Sequence, residues 1–431
     1  MGETLIRGRL LSFTDAPDGD DAAAYAYVED GALLLRDGRI AAVGTYPALA
    51  PLAGAAEAID HRPHLILPGF IDTHIHFPQV QVIGSWGAQL LDWLNAYVFV
   101  EEAKFADPAV AAAMAPRFFD ELLRHGTTTA AAFCSVHPAS VDAYFAEALR
   151  RDMRMIGGKV MMDRNAPEAL RDTAQAGYDE TKALIARWHD RGRLHYAISP
   201  RFAITSSEAQ MEAAGALIAE HPELHVQTHL SENRAECDFA RALFPFAQDY
   251  TAIYERYGFM GPRTLLGHCV HLSDREIGAL AESGSVAVFN PTSNLFLGSG
   301  LFDLARLQGS GARVAVATDV GAGTSYSMLR TMDEAYKILQ LQAQKLEPLM
   351  SFYMMTLGNA RALGLEARIG SLRPGADADL VVLDSRATPA MALRSETARS
   401  LAEELFILQT MGDDRAVRET YVAGRPARPQ G

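Results

Sequence analysis

Phe70-Ile71-Asp72-Thr73-His74-Ile75-His76, entered through Pro68-Gly69, is an apolar run that turns polar at its end. A strand alternates faces, so His74 and His76 point the same way and can grip one metal ion between them. Alone, the pair reads equally well as two ordinary strand histidines. Three more polar strand ends change that reading: His229 in Gln227-Thr228-His229-Leu230-Ser231-Glu232-Asn233, His268 in Gly267-His268-Cys269, and Asp319 in Thr318-Asp319-Val320. Polar groups ending apolar strands need partners, or they carry a desolvation cost. Imidazoles with one carboxylate are the ligand set of Zn²⁺ with a position left open for water. Zinc is expected, with iron as the other metal such a set accepts.

Outward from this stretch, strand and helix patterns alternate as a parallel βα barrel requires. Eight strands are predicted: 70–76, 127–133, 154–162, 194–199, 224–229, 264–270, 285–289 and 314–318. Helical patterns lie between them, among them 108–125, 166–191, 207–220 and 273–283. Eight is the number of a (β/α)₈ TIM barrel, whose active sites form at the carboxyl ends of the strands, where the polar residues here cluster. Both ends of the chain read as β structure. Thr4–Ser12, Ala32–Val43 and His64–Leu67 precede the barrel; Leu380–Leu383 and Thr420–Val422 follow it. The expectation is a small β-sandwich domain built from residues 1–67 and 366–431, with the barrel, 68–365, inserted between.

The 431 residues carry 49% hydrophobic residues, enough for a large core, and a formal net charge of −14. That charge disfavours attraction to nucleic acid phosphates. The stretch Met1 to Asp15 has no signal-peptide core, and no apolar run approaches a membrane span. Cys134, Cys237 and Cys269 make no disulfide framework, so a cytoplasmic location is expected.

His-x-His on the first barrel strand, with His229, His268 and Asp319, resembles the amidohydrolase superfamily. Its two-metal members use a carboxylated lysine on the fourth strand. Leu194–Ser199 offers none, and Lys159 belongs to the third strand, where it reads as structural, so the resemblance implies one zinc per chain. A closer resemblance is to the guanine deaminases. It is carried by Pro68 through Gln79, Leu91-Asp92-Trp93-Leu94, Ser199-Pro200-Arg201-Phe202, His229 through Asn233, and Pro291-Thr292-Ser293-Asn294 followed by Gly298-Ser299-Gly300. It implies hydrolytic deamination of guanine to xanthine and ammonia, with a purine as the small-molecule partner and a homodimer as the assembly.

Under this resemblance Asp319 orients the water and takes its proton. Glu232, three residues past His229, protonates the ring nitrogen beside the attacked carbon. His268 is a metal ligand or touches the water. Gln79 suits a purine edge because an amide both donates and accepts. Arg201 donates to the purine carbonyl, Phe202 flanks the ring and Trp93 closes the pocket or is plain core. His271, His225 and His125 read as bystanders, His125 as a helix C-terminal cap. Two other readings remain open. One is a related aminohydrolase acting on another heterocycle, such as 8-oxoguanine, an adenosine derivative or a triazine. The other is a barrel scaffold without chemistry, which missing ligands would mark.

Overall fold

The computed structural model describes residues 3–19, 23–54, 58–87 and 89–429; Met1 and Gly2 of the stretch read for a signal peptide lie outside them. The chain opens with β1 (Thr4–Phe13), β2 (Tyr25–Arg36), β3 (Arg39–Thr45) and β4 (Ile59–Pro68). The barrel follows with β5 (Phe70–His76), β6 (Thr127–Phe133), β7 (Arg154–Gly158), the short β8 (Val160–Met161), β9 (His195–Pro200), β10 (His225–Leu230), β11 (Thr264–His268), β12 (Val286–Phe289) and β13 (Arg313–Val316). The chain then returns to the first sheet with β14 (Leu380–Leu383), β15 (Val417–Val422) and β16 (Arg425–Pro426).

The terminal strands form one seven-stranded sheet, ordered β16-β15-β14-β4-β1-β2-β3. It curls until its far end meets its middle: Ile40 N–H donates to Ala376 O at 2.9 Å and Ala378 N–H to Gly38 O at 2.9 Å. Ile6, Leu10, Leu33, Ile66, Leu380, Val382 and Tyr421 are packed inside that curl. Between β14 and β15 the chain is helical rather than extended. Helix Leu401–Met411, capped by the Ser400 side chain, packs on the barrel helix Met328–Leu341. Ion pairs tie sheet to barrel, with Arg154 on Asp377 at 2.7 Å and Arg193 on Asp379 at 2.8 Å.

The eight long barrel strands are parallel, in the order β13-β12-β11-β10-β9-β7-β6-β5. The third strand breaks at Lys159, sooner than its apolar run suggests. The chain passes so close to β9 that a Cβ on Gly158 would sit 1.8 Å from Ala197 O. Beyond the break, Val160 pairs with Ser199. Lys159 is buried against Asp172 and, at 3.4 Å, Glu180. The helix expected over 166–191 spans only Ala174–Trp188, because Pro167 directs the chain outward and Thr173 supplies the N-cap. Among the described residues no helix is long and apolar enough to cross a membrane.

Ile71, Ala131, Ile156, Ala197, Leu265, Val286, Val288 and Ala315 form the apolar floor of the barrel, closed beneath by Leu363 and Ile369. A register irregularity in β5 between Asp72 and Ile75 lets Ile71 join this floor while His74 and His76 face the same interior above it.

No strand ladder joins β5 to β13 among the described residues, so side chains close the barrel there. Asn359 Nδ2 donates to Ile71 O at 2.7 Å and Val316 O at 2.8 Å, and its Oδ1 accepts from Val316 N–H at 3.0 Å. Asp72 accepts from Thr318 N–H at 3.1 Å and from the Thr318 hydroxyl. Higher up, Asp319 N–H donates to His74 O at 2.9 Å and His76 N–H to Val320 O at 2.7 Å. Asn359→Ala removes a buried side-chain partner from Ile71 O and Val316 N–H, while Val316 O keeps the Thr73 hydroxyl at 3.1 Å, and is expected to cost about 2 kcal/mol. Urea midpoints check this. Asn95→Ala, at an exposed helical amide, serves as the control and should move stability by less than about 0.5 kcal/mol.

Candidate active site

At the carboxyl end of the barrel His74, His76, His229 and Asp319 bring one ligand atom each to within 4.8 Å of one another. His229 Nε2 lies 3.2 Å from His74 Nε2 and 3.3 Å from His76 Nε2. Asp319 Oδ1 lies 3.4 and 3.2 Å from the same two nitrogens. A tetrahedral ion with bonds of about 2.0 Å holds its ligands about 3.3 Å apart. Hydrogen bonding among the rings accounts for at most one of the two contacts at His229 Nε2. His229 Nδ1 lies 2.8 Å from Arg201 O, which assigns the proton to Nδ1 and leaves a lone pair at Nε2. Burial pushes all three imidazoles down, His76 to about 4 and His229 well below the ordinary value. They are therefore neutral, as ligands must be. The donor set fits a divalent metal.

His268 stands one step outside the four. Its Nε2 is 3.6 Å from Asp319 and 3.4 Å from Glu232, and Asn294 Oδ1 holds its Nδ1 at 2.9 Å. A second trio, His189, Asp190 and His195, also clusters at the opposite end of the barrel. There His189 Nδ1 accepts from Tyr196 N–H at 3.2 Å and His195 Nε2 faces the Arg154 guanidinium at 3.0 Å. Each ring thus turns an N–H, not a lone pair, toward Asp190.

The strand ends that carry these groups are strained. Ser231, His268, Cys269 and Asp319 all adopt left-handed φ between 52° and 72°, a conformation that non-glycine residues hold only where the surroundings over-determine it. Glu232 follows one of them. Its loop is fixed by a capping box: Asn233 caps helix Arg234–Leu243, and Glu236 accepts from the backbone N–H of Glu232 at 2.8 Å and of Asn233 at 3.0 Å. The two buried carboxyls of the site are driven apart. Burial, reinforced by the charge of Asp319, pushes Glu232 up to about 8, although Ser299 donates to it at 2.9 Å. Burial also pushes Asp319 up, but hydrogen bonds from His74 and His76 outweigh it and hold that carboxyl well below the usual range.

A pocket opens over these groups, lined by His76, His229, Glu232, His268 and Asp319 together with Gln79, Trp93, Arg201 and Phe202. Every residue the sequence nominated is thus brought to one place, His74 lying just beneath. Trp93 is both wall and core, its Nε1–H donating to Ser85 O at 3.1 Å. Three participants escaped the sequence reading. Asn294 and Ser299 stood inside a noted motif without a role. Glu102, buried against Gln79 and Arg201, carried no signal, since Glu101-Glu102 reads as a solvated helix face. The bystanders stay outside: His225 bonds Leu363 O at the barrel floor, His271 bonds Ser299 O, and His125 caps its helix on Glu121 O.

The model of the amidohydrolase family matches residues 65–427, and a guanine deaminase of Escherichia coli is 46% identical over 423 residues, 97% of this chain and 96% of that one. The chain belongs to the amidohydrolase family, in its guanine deaminase branch. The solved E. coli guanine deaminase superposes with a TM-score of 0.96 at 45% identity, covering 98% of this chain and 99% of that one. A guanine deaminase from C. acetobutylicum, solved with bound guanine in the active site, superposes with a TM-score of 0.88 at 29% identity, covering 99% and 100%.

Gly267 leaves the space that the cluster needs. A Cβ there would meet His74 Cε1 at 2.5 Å and Nδ1 at 2.9 Å. The ring has no room to retreat, being packed on Phe133 and His229. Gly267→Ala is expected to lower divalent-metal affinity at least about tenfold by calorimetric titration. Gly278→Ala, whose Cβ meets nothing within 4 Å, should leave affinity unchanged.

Proposed function

We propose that this chain is a zinc-dependent guanine aminohydrolase that converts guanine and water to xanthine and ammonia. The observation that carries the reading is the convergence of His74, His76, His229 and Asp319 within 4.8 Å of one another, at a pocket that Glu232, Gln79 and Arg201 also line. Support comes from the guanine deaminases of this branch, one of them holding guanine. All of these groups lie within residues 68–365, the unit proposed as the catalytic domain.

His74, His76, His229 and Asp319 would hold one zinc ion, with His268 beside it. Such an ion acts as a Lewis acid that makes water acidic near neutrality. Asp319 takes a proton from the water that attacks C2. Glu232, kept protonated by burial, donates to N3 as C2 becomes tetrahedral, so negative charge does not build up on the ring. Asp319 then passes its proton to the departing amine, which leaves as ammonia. The hydroxyl proton of the adduct restores Glu232 as the C2 carbonyl forms. Gln79 and Arg201 hold the far edge of the base, and Phe202 and Trp93 flank its ring and keep water out. The unpaired, mostly buried cysteines support the cytoplasm as the working compartment.

The test is a panel of guanine, adenine, cytosine and 8-oxoguanine assayed for ammonia, with metal content measured in parallel. Guanine is expected to react far faster than the others, with one zinc per chain. A preference for 8-oxoguanine or adenine would overturn the substrate, and two metals per chain would overturn the single-ion site. Glu232→Gln keeps the shape and removes the transferable proton, so turnover should fall about 10²–10⁴-fold with metal content unchanged. Near-normal turnover in that loaded variant would remove Glu232 from the mechanism.

A further inference from the structure

We infer that Glu102 is a positioning residue that turns the substrate-facing edge of the pocket into a neutral row of hydrogen-bond donors, selecting an uncharged base with adjacent acceptors and disfavouring an anionic product. This inference rests on the aminohydrolase reading above. Glu102 lies in helix Phe99–Ala103, with only 1% of its surface exposed. Its Oε1 accepts from Gln79 Nε2 at 2.8 Å and from Arg201 Nη1 at 2.9 Å, and its Oε2 accepts from the same Nη1 at 2.8 Å. One carboxylate thus joins two pocket residues that follow different strands, β5 and β9.

Two consequences follow. The first concerns direction. Gln79 Oε1 accepts from Gly321 N–H at 3.2 Å, while its Nε2 is drawn to Glu102, so the amide has opposed partners at its two ends and does not flip. What remains for a ligand is the second N–H of Gln79 together with Nε and Nη2 of Arg201, which make no hydrogen bond to any described residue. These are all donors. Guanine offers two neighbouring acceptors, O6 and N7, whereas adenine puts an amino donor in place of O6.

The second consequence concerns charge. Arg201 and Glu102 sum to zero, so the edge has no net attraction for an anion. Xanthine is a stronger acid than guanine and is partly anionic in mildly alkaline solution. Without the Glu102 charge, Arg201 would be a buried, unpaired cation facing the pocket, and it would hold that anion.

The experiment uses the metal-loaded enzyme with guanine as substrate and xanthine as inhibitor, at a pH below and a pH above the ionisation of xanthine. Glu102→Gln is expected to raise the guanine KM about tenfold, more than it lowers kcat, as lost fixation of one charged contact implies. It should also increase the ratio of the acid to the alkaline xanthine inhibition constant by a similar factor over wild type. Glu102→Asp keeps the charge but shortens the reach, so KM should rise while the inhibition ratio stays at the wild-type value. An unchanged KM and ratio in Glu102→Gln overturns the inference. If that variant fails to fold, an unchanged KM in Glu102→Asp overturns it. Wild-type enzyme inert toward guanine would instead refute the aminohydrolase reading and this inference with it.

Discussion

The join between the first and eighth barrel strands is the constraint on which the site depends. A parallel barrel closes only if its last strand meets its first, and here the backbones of β5 and β13 do not pair along their length. Asn359 and Asp72 supply the missing bonds from side chains. Because the join is bridged this way, β13 can end at Val316 and release the chain into the left-handed turn at Asp319. That turn carries the carboxylate to the Nε2 atoms of His74 and His76, and backbone bonds from Asp319 to His74 and from His76 to Val320 hold it there. The seam of the barrel and the candidate metal-binding corner are one structure.

Burial then sets the chemistry of what the seam assembles. The same desolvation that neutralises the imidazoles also raises Glu232, and only Asp319, fed by two histidine contacts, escapes it. The proposed proton donor and proton acceptor are therefore the same functional group in two settings, both beside the His268 ring. Arg201 and Glu102, by contrast, solve burial by pairing with each other. Two carboxylates lining the pocket and one buried behind it hold three different relations to their surroundings, and none requires an unusual residue.

The barrel was legible because its strands are short runs alternating with helical patterns, and those carrying His76, His229 and His268 turn polar at their carboxyl ends; that signal is local. His74 and His76 were read correctly from simple alternation, although a bulge in β5 also turns Ile71 to the same interior, which alternation forbids. Contacts between distant segments left no local trace. Glu102 is separated from Arg201 by 99 positions, and nothing in its own neighbourhood distinguishes it from the exposed acids nearby. The helix Leu401–Met411 was legible and was passed over: Ser400 followed by Glu403 is a recognisable helix start. The late start at Ala174 was likewise written in Pro167 and Thr173, where a long amphipathic pattern concealed two separate pieces.

The pairing of β4 with β14 has a bearing on biogenesis. β4 runs into β5 through the single residue Gly69, whose N–H donates to Asp379 O at 2.9 Å. The strand that bears His74 and His76 is thus anchored to a segment some three hundred residues downstream. During synthesis the ribosome delivers the first two ligands early, but their anchor emerges last. All eight parallel strands of the barrel are synthesised before β14, the strand that anchors the first of them. A chain truncated before Leu380 would carry every residue of the site and still lack the frame that aligns them.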